Sequence, residues 1–138
     1  MLMVYLTRKE QFAASHRLFN PKFSDEKNFE IFGKCANPNG HGHNYELSVI
    51  IAGNPDAETG MIMDLKKLSD LIEKELLDKV DHKHLNMDVD FLRGIIPTAE
   101  NLAKEFWKIL SSKIPSGKLY KIVLAESGNN IVEYKGEN

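Results

Sequence analysis

Cysteine is almost missing from this 138-residue chain: Cys35 stands alone. No internal disulfide can form, so the reducing cytosol is the expected compartment. An excess of either charge is missing too. Eighteen Lys and Arg balance twenty Asp and Glu, a formal net charge of -2. With no basic face or arm, nucleic acid is not an expected partner. No apolar run approaches the ~20 residues that a bilayer span requires, so no membrane association is expected. The opening MLMVYLTRKEQF lacks a signal-peptide pattern. Repeats, low-complexity tracts and linkers are absent from the sequence, and 42% of residues are hydrophobic. One domain covering residues 1–138, with its own core, is the expected organisation.

The chain does carry clear local patterns. Val4 to Ala14 reads as a first strand ending near His16. Residues 17–40 are rich in Asn, Pro, Gly, Lys and Asp and read as a long ordered loop, with Phe19, Phe23, Phe29 and Phe32 as anchors. Loops of that length in a small domain are usually functional. Tyr45 to Ala52 reads as a second strand, and GNPDAETG as a turn. Asp64 is a suitable N-cap for a helix with Leu65, Leu68, Leu71, Ile72 and Leu76 along one stripe. Pro97 and Thr98 precede a second helix, roughly Ala99 to Lys113. KLYKIVLAE and IVEYKG are two further strands, joined by SGNN. Two helices between two pairs of strands predict an α+β fold with a four-stranded antiparallel sheet and both helices on one face.

Most of the candidate chemistry lies in GKCANPNGHGHNYELSVII, residues 33–51. Side chains at i and i+2 of a strand share a face, so His41 and His43 can grip one ion. His16 faces them if the first two strands pair as a hairpin. Three imidazoles without an obvious fourth protein ligand suit an open, catalytic zinc. The other reading of the pair is two hydrogen-bonded turn histidines. Cys35 is either a small buried hydrophobe or a thiolate base activated by a nearby cation. In VDHKHLN, Asp81 beside His82 can orient an imidazole, or the stretch is a polar loop. His82 and His84 also have the spacing of a second metal pair. Glu126 closes a strand, either as a solvated turn residue or as a bidentate acceptor for a guanidine-like ring edge. Thr98 and Glu100 suit a helix start.

FAASH, FGKCANPNGHGHNY, GMIMD, DHKHLN, PTAEN and AESGNNIVEYKGE together resemble, in order, motifs of the 6-pyruvoyl-tetrahydropterin synthase family. That family includes the 6-carboxy-tetrahydropterin synthases of 7-deazaguanine (queuosine) biosynthesis. The resemblance implies a tunnelling fold, in which three subunits join their sheets into a barrel and two trimers stack into a homohexamer with sites between subunits. It implies Zn2+ on His16, His41 and His43, with Cys35 as catalytic base and Asp81 and His82 as proton relay. Glu126 and Thr98 would anchor the pterin, and Glu100 would help to hold substrate or interface.

The implied function is a zinc-dependent lyase of tetrahydrobiopterin biosynthesis. It would convert 7,8-dihydroneopterin triphosphate to 6-pyruvoyl-tetrahydropterin with loss of triphosphate. No nicotinamide or flavin is required, which agrees with the lack of a dinucleotide-binding glycine pattern. The alternative is a 6-carboxy-tetrahydropterin synthase acting on the same substrate. The spacing from Cys35 to His41 resembles the 6-pyruvoyl enzymes, whereas PTAEN is common bacterial wording. A branch that cleaves the side chain to 6-hydroxymethyl-dihydropterin usually has glutamate in place of the cysteine, so Cys35 speaks against it. A non-catalytic zinc- or pterin-binding module would not need Cys35, Asp81 and His82 together. Ala99 replaces a threonine found in some relatives, and His84 occupies a variable position.

Overall fold

A computed structural model describes residues 3–137. Its backbone is a mixed sheet with helical segments of three to thirteen residues between the strands. Strand β1 (Val4–His16) is followed by helix α1 (Asp25–Phe32) and a 3-10 turn (Gly33–Ala36). Strand β2 (His41–Gly53) leads to α2 (Leu65–Ile72), which runs through a π-helical segment (Glu73–Leu77) into α3 (Asp78–Val80). The two-residue strand β3 (Lys83–His84), a 3-10 turn (Asp90–Leu92), α4 (Ala99–Ser111), β4 (Lys118–Ala125) and β5 (Ile131–Tyr134) complete the order.

The strands lie in the order β3-β1-β2-β4-β5. β1 and β2 form a thirteen-residue antiparallel hairpin in which Val4 pairs with Gly53 and His16 with His41. β4 pairs antiparallel with β2, with an irregularity between Ile50 and Ile51, and β5 pairs antiparallel with β4. Alternation along each strand sends one set of side chains to the helix layer. Phe12 and Ala14 of β1, Tyr45, Leu47, Val49 and Ile51 of β2, and Ile122 and Leu124 of β4 are buried with Leu68, Ile72, Leu76, Leu102, Phe106 and Leu110. Phe12 stacks on Tyr45 at 4.7 Å between ring centroids and meets Phe106 edge-on at 6.0 Å.

The helix starts follow the expected caps. The Asp64 carboxylate accepts from the backbone N–H of Lys66 at 2.8 Å. The Thr98 hydroxyl accepts from that of Asn101 at 3.2 Å. Such caps satisfy donors that the first helical turn leaves unpaired.

Several expectations are corrected. The sheet has five strands among the described residues and is mixed, not four-stranded and antiparallel, because β3 pairs parallel with β1. A two-residue strand has no periodicity for a sequence to display. Residues 17–40 are also not a plain loop, since α1 and the 3-10 turn occupy half of them. α1 presents no apolar stripe: Phe29, expected as an anchor, is 64% exposed and Ile31 53% exposed. Its start is set by Ser24, whose hydroxyl accepts from the N–H of Lys27 at 3.1 Å. Leu65, placed on the buried stripe of α2, is exposed, as its position in the first turn allows. β2 begins at His41, four residues before the apolar run that announces it.

Candidate metal centre

The hairpin register decides the site. Phe12, Ala14 and His16 share the inward face of β1, and Tyr45, His43 and His41 share that of β2. His16 therefore stands opposite His41 and diagonal to His43 at the open end of the hairpin. One ligand nitrogen from each of the three lies within 4.8 Å of the others. Nε2 of His16 is 3.1 Å from Nε2 of His41. The rings meet edge to face, with centroids 4.7 to 5.1 Å apart.

His16 is fully buried, and its orientation is fixed from behind. Nδ1 is 2.8 Å from the carbonyl oxygen of Pro97. A carbonyl only accepts, so Nδ1 carries the proton and Nε2 turns a lone pair toward the cluster. This is how outer partners set the tautomer of a metal-binding imidazole. Burial lowers the His16 pKa to about 4, and the neighbouring histidines push in the same direction against the Pro97 bond. Burial likewise lowers that of His41, with His43 adding to the effect. Both are thus held in the neutral form that ligates metals. Nε2 of His43 is buried with no hydrogen-bond partner among the described residues. Such an orphan is rare in native proteins, and a metal ion held with His16 and His41 supplies its missing partner. The three histidines fit a divalent metal.

Gly40 completes the close packing at this end. Its φ is +73°, and a Cβ there would stand 3.0 Å from the His16 carbonyl oxygen and 3.2 Å from Nε2 of His84. Only glycine meets both conditions without strain.

Residues 81–86 run alongside β1 and fasten to it. The N–H of Ala13 donates to Asp81 Oδ1 at 2.9 Å, the N–H of His82 to the Ala13 carbonyl, and the N–H of Leu85 to Ser15. Asn86 continues the ladder with its side chain. Its Oδ1 accepts from the N–H of Arg17 at 2.8 Å, and its Nδ2 donates to the Arg17 carbonyl at 2.9 Å. Beyond β1, the N–H of Leu18 donates to the Cys35 carbonyl at 2.8 Å and the Arg17 guanidinium to that of Ala36 at 2.8 Å. The end of β1 and the two residues after it thereby hold both the Asp81–His82 loop and the Cys35 turn. Nothing in the sequence pattern marks Asn86 or Arg17 for this task. Asn86→Ala leaves two backbone groups of Arg17 unpaired and is expected to lower stability by about 1–3 kcal/mol, read from urea unfolding; an unchanged midpoint would contradict the ladder's importance.

Two cavities flank the histidines. One, about 530 Å³, is lined by Ser15, His43, Asn44, His82, Lys83 and His84 among others. The exposed His82 has a φ of +60°, and its Nδ1 is 2.9 Å from Asp81 Oδ1. The other, about 430 Å³, brings together Leu18, Thr98, Glu100, Glu126, Asn129 and Asn130. Glu126 also reaches the metal centre, with Oε1 at 3.4 Å from Nε2 of His16 and 3.7 Å from Nε2 of His43. Cys35 lines neither cavity; its turn adjoins the end of β1 through Leu18. His84 lies beside the first cavity, with its Nδ1 accepting from the N–H of Asn86 at 3.3 Å. Among the described residues the only group of three or more metal-ligating side chains is His16, His41 and His43, and neither His82 nor His84 belongs to it.

Comparison with known proteins gives one answer. Residues 5–137 match the 6-pyruvoyl tetrahydropterin synthase family. The chain is similar to the 6-pyruvoyl tetrahydrobiopterin synthase of Pongo abelii, 47% identical over 132 residues, covering 96% of this chain and 91% of the relative. It is similar in structure to the 6-pyruvoyl tetrahydropterin synthase of Caenorhabditis elegans, with a TM-score of 0.93 and 42% identity over 99% of this chain and 98% of the other. The 6-carboxy-5,6,7,8-tetrahydropterin synthase of Aquifex aeolicus is 27% identical over 162 residues, covering 96% of this chain and 98% of the relative.

Proposed function

Because this chain belongs to the 6-pyruvoyl tetrahydropterin synthase family, we propose that it converts 7,8-dihydroneopterin triphosphate to 6-pyruvoyl-tetrahydropterin and releases triphosphate. The observation that carries this reading is the trio of His16, His41 and His43 closing on one point in the family's fold, with a buried nitrogen that lacks a partner among the described residues. Zinc is the proposed metal, since three imidazoles suit it. Bound there, it would act as a Lewis acid toward hydroxyls on the substrate side chain.

The remaining roles fall to the chain's own groups. Cys35 thiolate removes a carbon-bound proton from the side chain, and the C–O bond to triphosphate breaks. Asp81 accepts a hydrogen bond from His82 Nδ1–H, leaving Nε2 to take and return protons. The Glu126 carboxylate holds the guanidine-like edge of the pterin by two N–H bonds. The Thr98 hydroxyl accepts from Asn101 and keeps its own O–H for the ring, and Glu100 helps to position it. Electrons move from the side-chain carbons to the ring within one molecule, so no external oxidant or reductant enters. The stronger similarity to 6-pyruvoyl synthases than to a 6-carboxy synthase, 47% against 27% identity, favours this product.

The proposed assembly is a homohexamer of two stacked trimers, each with a barrel built from three sheets. It is supported by the unpaired outer edges of β3 and β5 and by the division of site residues between two cavities and the Cys35 turn. A barrel removes such edges. The whole chain would then serve as one synthase domain. Among the described residues no helix is long and apolar enough to cross a membrane, and the cytosol is the proposed location.

Mass spectrometry of the products tests the reading. Zinc-loaded protein given 7,8-dihydroneopterin triphosphate is expected to yield triphosphate and the 6-pyruvoyl product. A 6-carboxy product with acetaldehyde would reassign it to 7-deazaguanine synthesis. Binding without turnover would leave a non-catalytic pterin module.

A further inference from the structure

Glu126 touches two places at once. Its carboxylate stands 3.4 and 3.7 Å from the Nε2 atoms of His16 and His43, and its side chain also lines the cavity shared by Thr98 and Glu100. The first contact is not an ordinary hydrogen bond. With Nδ1 of His16 donating to Pro97, Nε2 offers a lone pair, and the carboxylate oxygen facing it offers only lone pairs. Two acceptors brought together need a cation between them.

The spacing suits that cation. Ligands ~2.0–2.1 Å from a tetrahedral zinc stand about 3.3–3.4 Å from one another. The separations here are 3.1 Å for His16–His41, 3.4 Å for His16–Glu126 and 3.7 Å for His43–Glu126. The backbone of Glu126 is anchored, with its N–H donating to the Asn130 carbonyl at 3.0 Å, so movement is confined to the side chain.

We propose that the Glu126 carboxylate is the fourth metal ligand of the substrate-free protein, and that it leaves the metal to hold the incoming ring. This rests on the reading of His16, His41 and His43 as metal ligands. The resting centre is then closed by four protein groups, and it opens only when a ring with paired N–H donors takes the carboxylate away. One residue thereby couples ring recognition to exposure of the metal's reactive position.

Cobalt(II) reports ligand number and type by its visible absorption. Cobalt-loaded wild type, Glu126→Gln and His41→Ala should be compared without substrate, after circular dichroism has established their folding. Glu126→Gln is expected to shift the visible bands and to weaken cobalt binding about tenfold or more. Saturating 6-methyl-7,8-dihydropterin, which carries the ring but no side-chain hydroxyls to reach the metal, should shift the wild-type bands but leave those of Glu126→Gln nearly unchanged. Identical spectra and affinities for wild type and Glu126→Gln would overturn the proposal, as would wild-type bands indifferent to the pterin. His41→Ala separates the two readings: undiminished cobalt binding there would remove the histidine centre itself.

Discussion

His16→Ala should strip the protein of metal. The substitution deletes a ligand that is fully buried and held by Pro97, so no water-exposed group can swing in to replace it. Loss of an outer partner of a metal ligand already costs about 10–100-fold in affinity. Loss of the ligand itself should exceed 100-fold, leaving substoichiometric metal after dialysis against a weak chelator. The Pro97 carbonyl also loses its partner, so the metal-free variant should be less stable than metal-free wild type by about 1–3 kcal/mol. His43→Ala provides the contrast. It removes a nitrogen that has no hydrogen bond to lose among the described residues, so metal should disappear with little change in metal-free stability. Full metal content in His16→Ala would refute the centre.

Cys35→Ala is expected to lower kcat by about 10²- to 10⁴-fold, the range for removal of a positioned general base. The turn that carries it is held by backbone groups, through the Cys35 carbonyl to Leu18 and the Ala36 carbonyl to Arg17. Those bonds survive the substitution, so the turn should keep its place and metal content should match wild type. KM should change far less than kcat, because a general base contributes to the transition state and not to substrate binding. Steady-state kinetics on 7,8-dihydroneopterin triphosphate, with metal analysis on the same sample, provides the check. Turnover within a few-fold of wild type would exclude Cys35 as the base.

Much of this was legible in the sequence, and the reasons are local. Asp64 and Thr98 cap helices because their short side chains reach nearby N–H groups, and a sequence displays that directly. The His-Gly-His spacing and the strand ending at His16 led to a hairpin whose register unites the three imidazoles. What stayed hidden depends on long-range geometry. β3 is two residues long and exists only because residues 81–86 find the edge of β1. α1 is set by a cap and by Asn28, which is buried and pairs with both backbone groups of Asn20, not by an apolar stripe. Asn86 looks like any loop asparagine until Arg17 is placed beside it. The sequence offers Glu126 as a strand-closing carboxylate, either solvated or an acceptor for a ring edge, and its approach to His16 required the fold.

The ladder between residues 81–86 and the end of β1 has a consequence for how the chain comes to life. Its bonds join groups 68 and 69 positions apart. His16 and His41 are only 25 apart. As the polypeptide leaves the ribosome N-terminus first, the hairpin and its three imidazoles are complete while the outer edge of β1 still waits for a partner not yet synthesised. An open edge of that kind invites pairing with another nascent chain. Early capture of a metal ion would pin the hairpin in register through that interval, so the ion would guard the unfinished sheet before any substrate arrives.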